Sequence, residues 1–94
     1  MLARMALPDD FAKAQEQVKT LTTRPSNDTL LELYALYKQS TEGDVNGKRP
    51  GMLDLKGRAK FDAWTGVKGT AREAAMQRYV DLVRRLLGAE GKSL

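Results

Sequence analysis

Apolar residues recur at helical spacing in four segments of the chain, and no stretch alternates with the period of two that marks a strand. Phe11, Ala14, Val18 and Leu21 form the first stripe. It follows Pro8, with Asp9 placed to cap the helix start, and Thr22, Thr23 and Pro25 end it. A second helix is predicted to open at Ser26, with Asp28 in the first turn, where the helix dipole favours a carboxylate. Leu30, Leu33, Tyr34 and Tyr37 make its stripe, Leu31, Ala35 and Lys38 a neighbouring face, and it fades near Thr41 to Gly43. A third helix begins between Asp54 and Gly57, carries Ala59, Phe61, Ala63, Trp64 and Val67, and closes at Lys68-Gly69. Thr70-Ala71-Arg72-Glu73 reads as a capping box opening a fourth helix, whose stripe is Ala75, Met76, Tyr79, Val80, Val83, Leu86 and Leu87. Gly88 is its predicted stop, and the tail AEGKSL is expected to fray. The pattern specifies an all-α chain, a four-helix bundle with a long crossover loop between helices 2 and 3.

The crossover is the irregular part. The run YKQSTEGDVNGKRPGMLDLKGRAKFDAW, residues 37 to 64, holds six basic residues, four glycines and a proline. Gly43, Asn46, Gly47, Pro50 and Gly51 each interrupt a helix, while Met52, Leu53 and Leu55 are expected to tuck the loop onto the core. A connection of this length inside a small domain is more often functional than idle.

Composition narrows the chemistry. With 94 residues the chain is expected to be one domain with a modest core, over about residues 9–88. Cysteine and histidine are both absent. That removes disulfides, most metal sites and the Ser-His and Cys-His nucleophile pairs, so no catalytic residue and no metal ligand is assigned. The net charge of +4 and the pI near 9.6 favour an anionic partner, although plain solubility accounts for them equally well. The start MLARMALP has no secretory apolar run, and no window is long enough to span a bilayer, so the expected location is cytoplasmic, without stable membrane insertion.

Several polar groups do not fit a plain bundle. Tyr34, Tyr37 and Lys38 fall within one helical turn of each other, Lys56 and Lys60 are four apart on the third helix, Tyr79 interrupts an apolar stripe, and Lys19 lies late in the first helix. Tyrosines packed in a core with hydroxyls at the surface, and lysines on a solvated face, are the plainer account of each residue taken singly. Together they offer what a phosphorylated nucleotide needs: converging cations, hydroxyls and ring faces.

The order of the motifs is more specific than the composition. Tyr37-Lys38-Gln39, Gly43-Asp44-Val45-Asn46, Arg49-Pro50-Gly51-Met52-Leu53-Asp54 and Gly57-Arg58-Ala59-Lys60-Phe61-Asp62-Ala63-Trp64 resemble the signature of the acyl-CoA-binding protein family. Phe11, Pro25-Ser26, Lys68-Gly69-Thr70, Ala75-Met76 and Tyr79 fit the same pattern, so the resemblance runs from about Asp9 to Leu87. It implies a skewed four-helix bundle that binds one long-chain fatty acyl-CoA per molecule, without catalysis and without a cofactor. By position, the anchors for the 3′-phosphate of the nucleotide would be Tyr34, Lys38 and Lys60, with charge from Lys56 and Lys19. Tyr37 and Tyr79 would lie at the ligand, Leu30 and Leu31 near the adenine and acyl chain, and Phe11 and Ala14 would line the acyl groove. Phe61 stands where the family usually has Trp, and Gly66 is expected to weaken the third helix by about 1 kcal/mol.

The resemblance also implies a monomeric intracellular carrier and pool former that hands acyl-CoA to acyl-CoA-using enzymes. A basic helical nucleic-acid-binding or protein-interaction module is the alternative. Asp44, Asp54 and Asp62 break the basic run and disfavour a phosphate-backbone track, so nucleic acid is not expected as a partner. An enzyme acting on CoA esters would need a second catalytic group beside Tyr34 and Lys38, and the chain supplies none.

Overall fold

The structure is a computed structural model and describes residues 7–94. Its elements are α1 (Leu7–Gln17), a short 3-10 turn (Val18–Thr20), α2 (Asn27–Glu42), α3 (Leu55–Thr65) and α4 (Arg72–Ala89). Among the described residues every regular element is helical, and the expected four-helix bundle with its long 2–3 crossover is what forms. The centre of the bundle is the pair α2 and α4; α1 packs on α4, and α3 packs on α2.

The core lies between α1, α2 and α4. Phe11, Ala14, Leu33, Leu36, Ala75, Tyr79, Val80, Leu82, Val83 and Leu87 form one buried cluster. On α2 the buried set is Leu33, Leu36 and Ser40 toward that cluster, with Ala35 and Gln39 also covered. Of the predicted stripe of Leu30, Leu33, Tyr34 and Tyr37, Leu33 is buried in the core as expected, while the other three are centred about one residue, or roughly 100°, from the face that seeks the core. Leu36, outside that stripe, is fully buried, whereas Tyr37 is 38% exposed. An apolar face of α2 is left open.

The helix ends correct several expectations. Asp9 does not cap α1: the helix begins at Leu7, Pro8 occupies its first turn, where a missing N–H costs nothing, and Asp9 and Asp10 compensate the dipole. Ser26 does cap α2, its hydroxyl accepting from the Thr29 N–H, and Asp54 caps α3 by accepting from the Gly57 N–H. A side chain at residue 57 would drive its Cβ to 2.2 Å from the Asp54 carboxylate, so this cap requires glycine. The Thr70 capping box does not form. Ala71 is the extended residue before α4 and offers no side-chain cap, and the Thr70 carbonyl just before it accepts from Gln39 Nε2 at 2.8 Å. Gly66 follows α3 as its C-cap, so the expected interior penalty does not apply.

Gly88 is not the end of α4. Lys92 N–H bonds the Leu87 carbonyl and Gly91 N–H the Gly88 carbonyl, with Gly91 at φ 74°: a Schellman stop three residues later than predicted. Nor does the tail hang free. The Glu90 carboxylate accepts from the backbone N–H groups of Thr22 and Thr23 at 3.0 Å, and Lys92 Nζ donates to the Thr20 carbonyl at 2.7 Å. These bonds hold the Glu90 carboxyl down to about 2, the two backbone donors acting first.

Candidate ligand-binding site

Two cation–ring contacts show how α2 and α3 are set. Lys60 Nζ lies 5.5 Å from the Tyr34 ring centroid and Lys38 Nζ 5.0 Å from that of Trp64. Residue numbers rise together along the two helices, so α2 and α3 run parallel. A parallel pair cannot be joined by a tight turn: the chain must return along α2 for about thirteen residues, roughly 20 Å at 1.5 Å each. That is the physical reason for the crossover between Glu42 and Leu55.

Polar ties, not buried apolar surface, fasten the crossover. Trp64 Nε1–H donates to the Gly43 carbonyl at 2.9 Å. The Asp44 carboxylate accepts from Gly69 N–H and from the buried Gln39 Nε2, both at 2.8 Å, and these bonds lower its pKa, the Gly69 donor most. Arg49 forks onto Asp62 through two bonds of 2.9 and 2.7 Å, holding that carboxyl below its usual range. Met52, Leu53 and Leu55 do not tuck inward: they are 79%, 101% and 74% exposed.

The open face of α2 becomes the floor of a trough with two adjoining parts. One, of about 350 Å³, lies among Val18, Lys19, Leu30, Tyr34, Tyr37 and Tyr79. The other, of about 470 Å³, lies among Arg24, Leu30, Leu31, Tyr34, Lys56 and Lys60. Leu30 and Tyr34 belong to both. The first part is mainly apolar and aromatic; the second has Arg24 from the segment before α2 and Lys56 and Lys60 from α3 in its lining.

The fold thus brings Lys19, Leu30, Leu31, Tyr34, Tyr37, Lys56, Lys60 and Tyr79 to one trough. Phe11 and Ala14 lie deeper, at 6% and 0% exposure, and line neither part. Phe11 supports the trough from behind, stacked on Tyr37 at 6.2 Å and edge-on to Tyr79 at 5.1 Å. Burial, and next to it the neighbouring Tyr37, push the Tyr79 phenol upward, which favours its neutral form. Lys38 stands apart from both parts, hydrogen-bonded to Glu42 one turn on, and that bond raises its pKa. Arg24 was not singled out in the sequence, because the segment before Pro25 reads as a helix terminator. Its guanidinium, 3.2 Å from the Asn27 side-chain oxygen, adds a third cation to the polar part. The signal available was a lone arginine beside a predicted helix start.

Comparison with known proteins bears on the family and the fold. The family model described as acyl-CoA-binding protein matches residues 8–83. An acyl-CoA-binding protein of Brassica napus is 51% identical over 89 residues, covering 95% of this chain and 97% of the relative. An acyl-CoA-binding protein homolog of Drosophila melanogaster is 51% identical over 79 residues, covering 84% and 92%. The crystal structure of acyl-CoA-binding protein 2 of Oryza sativa superposes with a TM-score of 0.87 at 43% identity, over 92% of this chain and 96% of that one.

Proposed function

The chain belongs to the acyl-CoA-binding protein family, and from that premise we propose that its trough binds long-chain fatty acyl-CoA. The observation that carries this reading is the open α2 face, where an apolar aromatic hollow and a cation-walled hollow meet at Leu30 and Tyr34. An amphipathic ligand with a phosphorylated head and a hydrocarbon tail matches both.

In this reading Lys60 and Lys56 take phosphate oxygens from the α3 wall, Tyr34 supplies a hydroxyl and Arg24 closes the opposite side. Lys38 joins them by exchanging Glu42 for a phosphate oxygen. Each such bond contributes roughly 1.5–3 kcal/mol. Tyr37, Tyr79 and Leu30 meet the hydrocarbon, Lys19 marks the far rim, and Leu31 lies by the head. Each methylene removed from water adds about 0.8 kcal/mol, so the head selects CoA esters and the tail selects length. No bond of the ligand is broken. The protein is a monomeric cytoplasmic carrier that keeps the tail from water and passes the ester to acyl-CoA-using enzymes.

Calorimetric titration with acyl-CoA, free CoA and free fatty acid tests the reading. Acyl-CoA should bind 1:1, and more tightly than either part alone. Equal binding of fatty acid and acyl-CoA would remove the head-group site, and a flat response to acyl length would remove the carrier.

A further inference from the structure

The crossover turns at Gly51–Asp54, where Asp54 N–H bonds the Gly51 carbonyl at 3.0 Å. Met52 and Leu53 are the two central residues of this turn and project from it, and Leu55 follows in the first turn of α3. Their exposures of 79%, 101% and 74% put them, with Tyr37 at 38%, among the large apolar side chains open to solvent. A folded chain rarely gathers such residues in one place without a partner. Met52 and Leu53 line neither part of the trough, and Leu55 lies at the edge of its polar part.

Charge identifies the partner. Between residues 48 and 62 stand Lys48, Arg49, Lys56, Arg58 and Lys60 against Asp54 and Asp62, and Arg49 and Asp62 pair with each other. That segment holds a balance of +3 out of the +4 of the entire chain. Asp54 is moreover turned back, its carboxylate capping α3 through the Gly57 N–H at 2.9 Å. The tip is therefore flexible aliphatic chains ringed by cations. It has no shaped cavity of its own, which suits a fluid apolar layer beneath anionic headgroups better than a sculpted protein surface.

We propose that the Met52–Leu53 turn, with Leu55, is a shallow docking tip for an anionic lipid surface. The aliphatic side chains enter the headgroup boundary while Lys48, which lines neither part of the trough, meets lipid phosphates and carboxylates. No helix among the described residues is long and apolar enough to cross a membrane, so the attachment is peripheral and reversible. Docking needs no ligand in the trough, so it can fail without touching the acyl-CoA reading, and the reverse.

The test is co-sedimentation of the ligand-free protein with phosphatidylcholine vesicles, with and without phosphatidylserine. Native protein should partition onto the phosphatidylserine vesicles, weaken as salt rises, and leave the neutral vesicles largely unbound. Met52→Ser/Leu53→Ser should lower that partition about tenfold or more, with the circular dichroism spectrum and calorimetric acyl-CoA affinity unchanged. In Leu53→Trp, with Trp64 replaced by Phe, indole emission should shift to the blue on adding phosphatidylserine vesicles. Native-level partition of the double serine variant would overturn the proposal, as diffuse charge attraction alone would then suffice. So would an unshifted emission, or no partition of the native protein. A concentration-dependent dimer lost in the serine variant would assign the tip to a second copy of the chain, and would overturn it too.

Discussion

On one side of α2, Leu33 and Leu36 join Tyr79, Val80, Val83 and Leu87 of α4 in a continuous apolar cluster. On the other side, α3 contributes a single buried residue, Trp64, and is held through hydrogen bonds, an ion-pair fork and two cation–ring contacts. The first half is fastened by surface removed from water, which is non-directional and strong in sum. The second is fastened by directional bonds of modest net value. The trough runs along the seam, with its aromatic part walled by the apolar half and its cations carried largely by the polar half. The rigid half supplies shape; the tied-on half sets the lysines against it.

The largest test of this division lies in the apolar half. Leu36→Ala, at a position with no exposure, should cost about 2–5 kcal/mol in chemical denaturation. The acyl-CoA affinity of the remaining folded protein should change little, since Leu36 lines neither part of the trough. A large affinity loss with little loss of stability would reverse the two roles.

Gln39→Ala acts across the seam. Its amide holds both Asp44 and the Thr70 carbonyl, and the residue is 1% exposed. Removing these bonds should cost about 1–3 kcal/mol and release the start of the crossover, so stability and acyl-CoA affinity should fall together. Unchanged affinity would mean that α3 keeps its place without the knot. Lys60→Ala should do the opposite of Leu36→Ala: affinity falls by about 1.5–3 kcal/mol in titration while the melting temperature stays level.

The periodicity of apolar positions made the helices and the long crossover legible, because burial of one face is a property of the chain itself. Which face of α2 is buried was not legible. Leu33 belongs to the predicted stripe and is buried, but Leu36 outside it competes with Leu30 and Tyr34, and only the positions of α3 and α4 decide between them. The same holds for the ends. Ser26 and Asp54 act on residues three ahead and could be read locally, whereas α4 starts one residue later than the Thr70 box implies, at a corner tied to Gln39, 31 positions before Thr70. Met52 and Leu53 look like core residues by type; the turn that carries them places them outside. Of the trough, the tyrosines and lysines were legible as types at matched motif positions. Arg24 was not, since its role depends on where the start of α2 meets α3.

The apolar half has polar ties of its own, the Arg84–Asp10 ion pair and the tail latch, and acid separates the latch from the core. Because Glu90 sits at about 2 when folded, far below its ordinary value of 4.5, its contribution is fully present above the ordinary value and disappears as pH falls from there toward 2. Native protein should therefore lose stability over that window, and Glu90→Gln should flatten that part of the pH profile of the denaturation midpoint. An equal slope in both proteins would show that the latch does not contribute, leaving Asp44 and Asp62 of the polar half as the acid-sensitive ties.

The smallest expected effect lies at Lys38, the one proposed anchor that faces an internal competitor. Its ammonium is hydrogen-bonded to Glu42 one helical turn away and sits over the Trp64 ring, outside both parts of the trough. To reach a phosphate it must leave that carboxylate, and the carboxylate itself repels the incoming head group. An ion pair of this spacing at a helix surface is worth only about 0.3–0.5 kcal/mol. Glu42→Gln keeps the shape and removes the charge, so acyl-CoA affinity should rise by about twofold, the fold-change that energy corresponds to. The gain should vanish in a Lys38→Ala background, where nothing remains to be released. A gain that persists there would mean that Glu42 acts on the ligand directly. Loss of affinity in Glu42→Gln would mean that the carboxylate orients Lys38 for the ligand instead of competing with it.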